Sequence, residues 1–223
     1  MAEKILILGE SGSGKSTATK TLDEKSTFFI NCIGKALPFK GWKAKYSYAD
    51  SKNPKGNMLK TTDYSKVSQM IKYVGEKLPH IKTLVIDDCQ YIPVYEYMAR
   101  ASEKGYDKFT EFAKHYMDVL TAPDDLRDDL TVIYLSHSQD EAGKTKVKTI
   151  GKMLDSTVTI EGLFTIVLLA TCYKDVDKSI KHIFMTKNTG TTTVKSPDGM
   201  FETIEIPNDL QFVLDKVNEY NNG

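Results

Sequence analysis

The feature that most constrains this chain is a glycine- and serine-rich segment between an apolar run and a predicted helix. The run Lys4–Leu8 has the composition of a buried strand, and the helix is predicted over Ser16–Asp23. The segment between them reads Gly9-Glu10-Ser11-Gly12-Ser13-Gly14-Lys15-Ser16-Thr17. It matches the pattern GxxxxGK[S/T], which in a strand–loop–helix setting is a phosphate-binding loop. The sequence therefore predicts a P-loop protein that binds ATP through Gly9–Thr17.

The chemistry of phosphate binding explains the residue types in this loop. Small residues let consecutive backbone N–H groups turn towards the phosphates, and the following helix adds the dipole of its N-terminus. Lys15 is predicted to contact the outer phosphates as a catalytic and binding residue, and the Ser16 hydroxyl is predicted to bind Mg²⁺. ATP and Mg²⁺ are therefore the expected cofactors.

Composition and charge limit the classes of protein to which the chain can belong. Its 223 residues include 30 basic and 30 acidic side chains, so a nucleic-acid site must be a local patch. Three widely spaced cysteines support neither a disulfide framework nor a zinc site, and they favour a reducing cytoplasm. The apolar runs Ile5–Leu8 and Leu163–Ala170 are too short to cross a membrane. A single domain over residues 1–223 is expected.

The first two thirds of the chain alternate predicted strands with predicted helices. One helix is expected after Asp63 as N-cap and another over Tyr106–Leu120, each with apolar residues at helical spacing. Such alternation predicts a doubly wound α/β fold with a mainly parallel sheet flanked by helices. The four predicted core strands are Lys4–Leu8, Thr27–Ile30, Thr83–Ile86 and Thr131–Leu135.

The last third has a different pattern. Leu163–Cys172 and Ile180–Thr186 are predicted to form an antiparallel hairpin at the edge of the parallel sheet. Lys144–Gly151 and Asn188–Gly199 are polar, contain glycine and lysine, and are predicted as loops.

Two consecutive aspartates end the third predicted strand. Asp87 directly follows the apolar run and is predicted to contact the metal through a bound water molecule or through another metal ligand. Asp88 is predicted to orient or deprotonate the attacking water; alternatively it caps Gln90 or the helix that follows.

Polar residues also follow the fourth predicted strand, at the sheet edge where ligands bind in open α/β proteins. His137, or Ser136 before it, is predicted to sense the γ-phosphate and to act in catalysis; the alternative is a histidine with a purely structural hydrogen bond. No role is predicted for His80, His115 or His182.

The order of these parts resembles the RecA-like ATPases, and in particular the small phage-encoded members used in DNA recombination. A second similarity is Phe184-Met185-Thr186-Lys187-Asn188, which resembles the late RecA strand whose lysine reaches the ATP of a neighbouring subunit. The resemblance implies that Lys187 is a catalytic finger in a homo-oligomeric ring or filament, in the host cytoplasm if the protein is phage-encoded. An ordinary surface lysine is the alternative.

The chain departs from that family at the second strand. RecA-like proteins usually carry a catalytic glutamate there, whereas this chain has Asn31 and Cys32 and no acid until Asp50. Either Asp88 takes the role or hydrolysis is slow, because an amide can position a water molecule but cannot remove its proton.

A lysine-rich segment follows the predicted phosphate sensor, where RecA-like proteins have DNA-binding loops. Its four lysines could follow the phosphate backbone of single-stranded DNA, although it contains no aromatic residue for stacking. A solvated, flexible loop is the alternative. The lysines are Lys144, Lys146, Lys148 and Lys152.

Three functions remain open from the sequence. The first is an ATPase that acts on single-stranded DNA in recombination or replication, with a single-strand-binding or replication protein as a further partner. The second is a phosphotransferase such as a nucleotide kinase, although Arg100 and Arg127 are the only arginines available for a lid. The third is a loader or switch that binds ATP without hydrolysis and recruits a protein.

Overall fold

Strand β1, which precedes the glycine-rich loop, lies inside an eight-stranded sheet in the computed structural model, which describes residues 1–149 and 159–223. Each predicted core strand is present, within one residue at either end. The strands in these ranges are β1 (Glu3–Leu8), β2 (Thr27–Asn31), β3 (Met58–Leu59), β4 (Thr83–Asp87), β5 (Thr131–Leu135), β6 (Ser138–Glu141), β7 (Lys144–Val147), β8 (Ile166–Lys174), β9 (Ile180–Met185) and β10 (Glu205–Pro207).

The sheet order is β10–β9–β8–β1–β5–β4–β2–β3. All pairs from β8 to β3 are parallel, whereas β9 is antiparallel to both β8 and β10. The carboxyl ends of β1, β4 and β5 therefore meet at one edge of the sheet, which is where an open α/β sheet binds ligands. The predicted mainly parallel sheet with a C-terminal antiparallel hairpin is confirmed.

Both faces of the central strands are buried, because successive side chains of a strand point to opposite faces. In β1, Leu6 and Leu8 pack into one apolar cluster and Ile5 and Ile7 into another, and all four are at most 1 % exposed. Helices flank the sheet on these two sides. They are α1 (Trp42–Lys45), α2 (Tyr64–Lys77), α3 (Tyr91–Ala99), α4 (Asp107–Thr121) and α5 (Leu210–Asn222).

Two aspartates fix the starts of the outer helices. The carboxylate of Asp63 accepts hydrogen bonds from the backbone N–H groups of Ser65 and Lys66, which confirms the predicted N-cap of α2. Asp209 caps α5 in the same way and also accepts a 2.7 Å hydrogen bond from the Thr21 hydroxyl. The C-terminal helix is thereby joined to the segment that follows the phosphate loop.

The predicted helix over Ser16–Asp23 is wrong in length and type. The structure has a short 3₁₀ helix over Thr17–Thr21 instead. Two threonine hydroxyls donate hydrogen bonds to the carbonyl three residues earlier in the chain. Thr19 donates to Ser16 at 2.7 Å and Thr21 donates to Ala18 at 3.2 Å. Such bonds, together with β-branching, compete with a regular α-helix.

The predicted loop Lys144–Gly151 is also corrected. Its first four residues form β7, which pairs with β6 in a separate two-stranded hairpin. Ala142 and Gly143 connect the two strands with φ angles of 53° and 77°, the backbone of a tight two-residue hairpin turn. Lys152 lies outside the described residues.

No helix within the described part of the chain is long and apolar enough to cross a membrane.

Candidate functional site

The phosphate loop begins at a point of close contact between two strands. A Cβ atom on Gly9 would lie 2.6 Å from the carbonyl oxygen of Ala170 in β8, which is closer than real Cβ contacts. Gly14 has a φ of 100°, in the region that only glycine adopts without strain. Both glycines of the pattern are therefore required by the backbone.

Lys15 lies inside the loop rather than in solvent. Its ammonium group donates hydrogen bonds to the carbonyls of Gly9 at 2.6 Å and Glu10 at 2.8 Å, and the residue is 6 % exposed. Burial lowers the pKa of Lys15, while the nearby carboxylates of Asp88 and Asp87 oppose that change. The side chain thus holds a positive charge at the centre of the loop.

Ser16 and Asp87 meet at the edge of the sheet. The Ser16 hydroxyl donates a 2.9 Å hydrogen bond to Oδ1 of Asp87. Burial and then the charge of Asp88 raise the pKa of Asp87 to about 6. One hydroxyl and one carboxylate suit Mg²⁺, which usually takes few protein ligands and keeps water or phosphate oxygens in its other positions. The residues predicted to hold the metal therefore fit it.

Asp88 is the most connected carboxylate of this edge. Its Oδ2 lies 2.9 Å from the Lys35 ammonium, and its Oδ1 lies 3.3 Å from Nε2 of His137 and 3.4 Å from the amide nitrogen of Gln90. Burial acts to raise the pKa of Asp88, but these hydrogen bonds outweigh it and lower the pKa to about 2. Its φ of 59° is unusual for a residue with a side chain, and such backbone strain often occurs at functional sites.

His137 continues the same network from the end of β5. Its backbone N–H donates to the side-chain oxygen of Gln90 at 3.2 Å, which positions the imidazole beside Asp88. Ser136 is fully buried, with its hydroxyl 3.5 Å from the carbonyl of His137. Of the two residues predicted at this strand end, His137 is the one that lines the cavity.

These groups surround one cavity of about 330 Å³. The phosphate loop forms one wall, and Asp87, Asp88 and His137 lie on another. Sequence reasoning missed four lining residues, of which Lys35 and His182 have side chains that can carry charge; the other two are Ala36 and Pro38. The cavity thus combines hydrogen-bond donors for phosphate, a pair of carboxylates and two histidines.

Lys35 and His182 reach the cavity through contacts that the linear sequence does not display. The amide of Asn31 donates to the carbonyl of Lys35 at 2.6 Å and accepts from the N–H of Gly34 at 2.8 Å, so it shapes the turn that carries Lys35. His182 in β9 approaches the carbonyl of Ser13 through Nδ1 at 3.1 Å. The position of Lys35 just after β2 was the available signal, because the carboxyl ends of parallel strands meet at one edge.

Lys187 is not brought to this cavity. It is exposed and follows Met185 at the end of β9. The pairing of Leu169 with Met185 and of Cys172 with His182 places it towards the opposite edge of the sheet. Contact with the ATP of a neighbouring subunit stays a prediction.

Of the predicted DNA-binding lysines in the described residues, Lys144 and Lys146 lie in β7 and Lys148 directly follows it. Lys144 and Lys148 are exposed, whereas Lys146 pairs with Glu141 across the hairpin. The base of the hairpin is bonded to the site, since the N–H of Lys148 donates to the carbonyl of His137 at 2.8 Å.

Two further contacts hold the hairpin in position. The N–H of Ser138 donates to the Gly9 carbonyl at 3.2 Å, which is the same oxygen that accepts from Lys15. On the other strand, buried Glu161 accepts a 2.8 Å bond from the N–H of Val147. The hairpin is therefore fixed to the phosphate loop rather than freely solvated.

A comparison with known protein families found one match over most of the chain. A family model described as an AAA domain matches residues 1–197, which include the phosphate loop, Asp87, Asp88 and His137. No curated protein matches the chain.

Proposed function

Since the chain belongs to the AAA-domain family, a family of P-loop ATPase-like domains, we propose that it binds ATP with Mg²⁺ and hydrolyses the ATP. The single observation that carries this proposal is the arrangement of Lys15, Ser16, Asp87 and Asp88 around one cavity. Cation, hydroxyl and two carboxylates are the groups that phosphoryl transfer to water requires.

Each group has a distinct role in the proposed reaction. Backbone N–H groups of Gly9–Thr17 surround the phosphates. The Lys15 ammonium leaves the carbonyls of Gly9 and Glu10 and contacts the outer phosphates. Ser16 and Asp87 would hold Mg²⁺, which when bound would neutralise charge on the phosphate oxygens. Asp88 orients the water that attacks the γ-phosphorus as the bond to ADP breaks. His137, beside Asp88, senses whether the γ-phosphate is present.

We also propose that single-stranded DNA is the partner that this ATPase acts upon, in recombination or replication, and that the protein works as a homo-oligomer. Lys144 and Lys148 project from a hairpin whose base contacts the phosphate loop and His137. Bound DNA and bound nucleotide can therefore influence each other through a few hydrogen bonds. Phage origin and a trans-acting Lys187 rest on the resemblance to RecA-like proteins alone.

Steady-state ATP turnover with and without single-stranded DNA tests this proposal. DNA should raise the turnover of the wild type, and a Lys144→Ala, Lys148→Ala double variant should lose that stimulation while it keeps its basal rate. A Lys72→Ala, Lys77→Ala variant removes two lysines of α2 as the matched control. An ATP turnover rate that does not change with DNA would contradict the proposed DNA partner, whereas the proposed ATPase activity would stand.

A loader or switch that binds ATP without turnover is the second candidate. It is favoured by the low pKa of about 2 of Asp88, because so weak a base accepts a proton poorly. The absence of an acid at Asn31, whose amide is used in the turn before Lys35, points the same way.

A phosphotransferase has less support. Arg100 bonds to Glu103 and to Glu111 of α4. Arg127 donates to the carbonyls of Gly75, Leu78 and Ile81. Neither guanidinium lines the cavity, so neither can close over a transferred phosphate without leaving these partners.

A further inference from the structure

One face of helix α3 exposes large apolar side chains beside the proposed site. Tyr91, Tyr95 and Met98 are spaced at i, i+4 and i+7, which places them on the same side of the helix. We call these three residues the tyrosine face. Tyr95 is 52 % exposed and Met98 is 65 % exposed. The rings of Tyr91 and Tyr95 lie edge to face with centroids 6.3 Å apart, so they form a continuous aromatic surface.

The tyrosine face adjoins the base of the lysine-bearing hairpin. The Tyr91 ring lies edge to face with the His137 ring, with centroids 6.4 Å apart. The carbonyl of His137 in turn accepts a hydrogen bond from the N–H of Lys148. A path of contacts therefore leads from an exposed hairpin lysine, through His137, to the exposed rings of α3.

The acidic side chains near this face are directed towards one arginine. Glu96 is the only acidic residue of α3, and it turns to Arg100 and to His115, with its side chain 12 % exposed. The acids that follow α3, Glu103 and Glu111, also pair with Arg100. These three carboxylates thus lie around one guanidinium, and Glu96 is on a different side of the helix from the tyrosines.

Aromatic rings next to cations are the combination by which proteins hold single strands without sequence preference, since every base has a π-face. We propose that the tyrosine face is a stacking platform for the bases of single-stranded DNA whose backbone follows Lys144 and Lys148. This rests on the proposed function and supplies the aromatic surface that the hairpin itself lacks. Tyr91 contacts His137, and His137 contacts Asp88. A base stacked on the tyrosine face can therefore affect the position of Asp88 in the ATP cavity.

Fluorescence anisotropy with a labelled oligothymidylate tests the platform. Tyr95→Leu should weaken binding roughly 10-fold or more and leave the slope of affinity against salt unchanged, because stacking releases no counterions. Tyr95→Phe keeps the ring and should bind within about twofold of the wild type. Lys148→Ala should instead reduce the salt slope by about 0.7. Tyr73→Leu, at an exposed tyrosine of α2, is the matched control and should have no effect.

The outcomes separate this inference from the function on which it rests. If Tyr95→Leu binds like the wild type while Lys148→Ala binds more weakly, DNA binding stands and the platform is wrong. If the wild type binds no oligothymidylate at low salt, both the stacking platform and the proposed DNA binding are wrong. If Tyr95→Leu keeps its DNA affinity but changes the sedimentation of the protein, the face is a protein–protein interface, and the inference is overturned.

Discussion

The hydroxyl of Ser16 donates a 2.9 Å hydrogen bond to the carboxylate of Asp87, which lies 71 residues further along the chain. The contact joins the phosphate loop that follows β1 to the carboxyl end of β4, and β5 lies between these two strands. In the proposed complex Ser16 and Asp87 would hold Mg²⁺, and their hydrogen bond keeps the two side chains adjacent without the metal.

The buried charge of Asp87 should lower stability in exchange for metal binding. Its pKa is raised from 3.8 to about 6. A rise of about two pH units corresponds to roughly 3 kcal/mol of destabilisation of the charged carboxylate. Asp87→Asn should therefore be more stable than the wild type without ligand, by up to about 3 kcal/mol above pH 6. A folded pKa above the unfolded one means that this advantage is absent below about pH 4 and grows through pH 6.

Denaturant unfolding of ligand-free protein from pH 4 to pH 8 measures this difference. Asp118→Asn, at an exposed position of α4, should stay within about 0.5 kcal/mol of the wild type at every pH. Asp87→Asn should at the same time lose ATP turnover. A less stable Asp87→Asn at pH 8 would show that the carboxylate is held by favourable contacts instead.

Asp88 should matter for turnover more than for ATP binding. Asp88→Asn keeps the size of the side chain and an acceptor but removes the charge that orients water, so kcat should fall roughly 10²- to 10⁴-fold. Equilibrium binding of ATP should change only a few-fold. Single-turnover kinetics beside a binding titration separates the two quantities. Equal kcat in variant and wild type would show that Asp88 does not act on the attacking water and would assign it to capping.

The two kinds of glycine should respond differently to alanine. Gly9→Ala places a methyl group 2.6 Å from the Ala170 carbonyl, so β1 and β8 must separate, and the free energy of unfolding should fall by several kcal/mol. Gly41→Ala, with a φ of 83° and open space around it, should lose only about 1–2 kcal/mol from backbone strain. Thermal denaturation compares them. Equal losses would mean that the loop can move away from β8.

Glu161 should hold the hairpin in place. Its Oε1 accepts from the N–H of Val147 at 2.8 Å and from the Thr193 hydroxyl at 3.0 Å. Glu161→Ala leaves the buried N–H unpaired, at a cost of about 1–3 kcal/mol, whereas Glu161→Gln keeps an acceptor. Limited trypsin digestion should cleave after Lys144 and Lys148 faster in the alanine variant than in the glutamine variant. Identical digestion would mean that the β6–β7 pairing alone positions the hairpin.

Local patterns predicted those parts of the site that follow directly from a strand. Apolar runs end at Leu8, Ile86 and Leu135, and the parallel sheet brings the residues after them to one edge. For this reason Lys15, Asp87, Asp88 and His137 could be identified as neighbours before any coordinates. Their exact partners were not available from spacing, because the contact of Asp88 with Lys35 spans 53 residues.

The elements that sequence reasoning missed have weak or misleading local signals. Helix α3 carries Pro93 and a run of aromatic residues on several sides, so it has no clear apolar stripe, and its proline is tolerated only because it lies in the first turn. In β7 the lysines concealed the alternation with Thr145 and Val147 that marks a strand. The tight turn at Ala142 and Gly143 was the signal that could have found the hairpin.

The central claim is that Lys15, Ser16 and Asp87 form a site that binds Mg²⁺ and ATP, and that the protein hydrolyses the bound ATP. ATP hydrolysis by purified protein across a Mg²⁺ titration, with Lys15→Ala and the control Lys72→Ala, tests it most directly. The account predicts Mg²⁺-dependent turnover in the wild type and in Lys72→Ala, and its loss in Lys15→Ala. Turnover that persists in Lys15→Ala, or that is independent of Mg²⁺, would contradict the account.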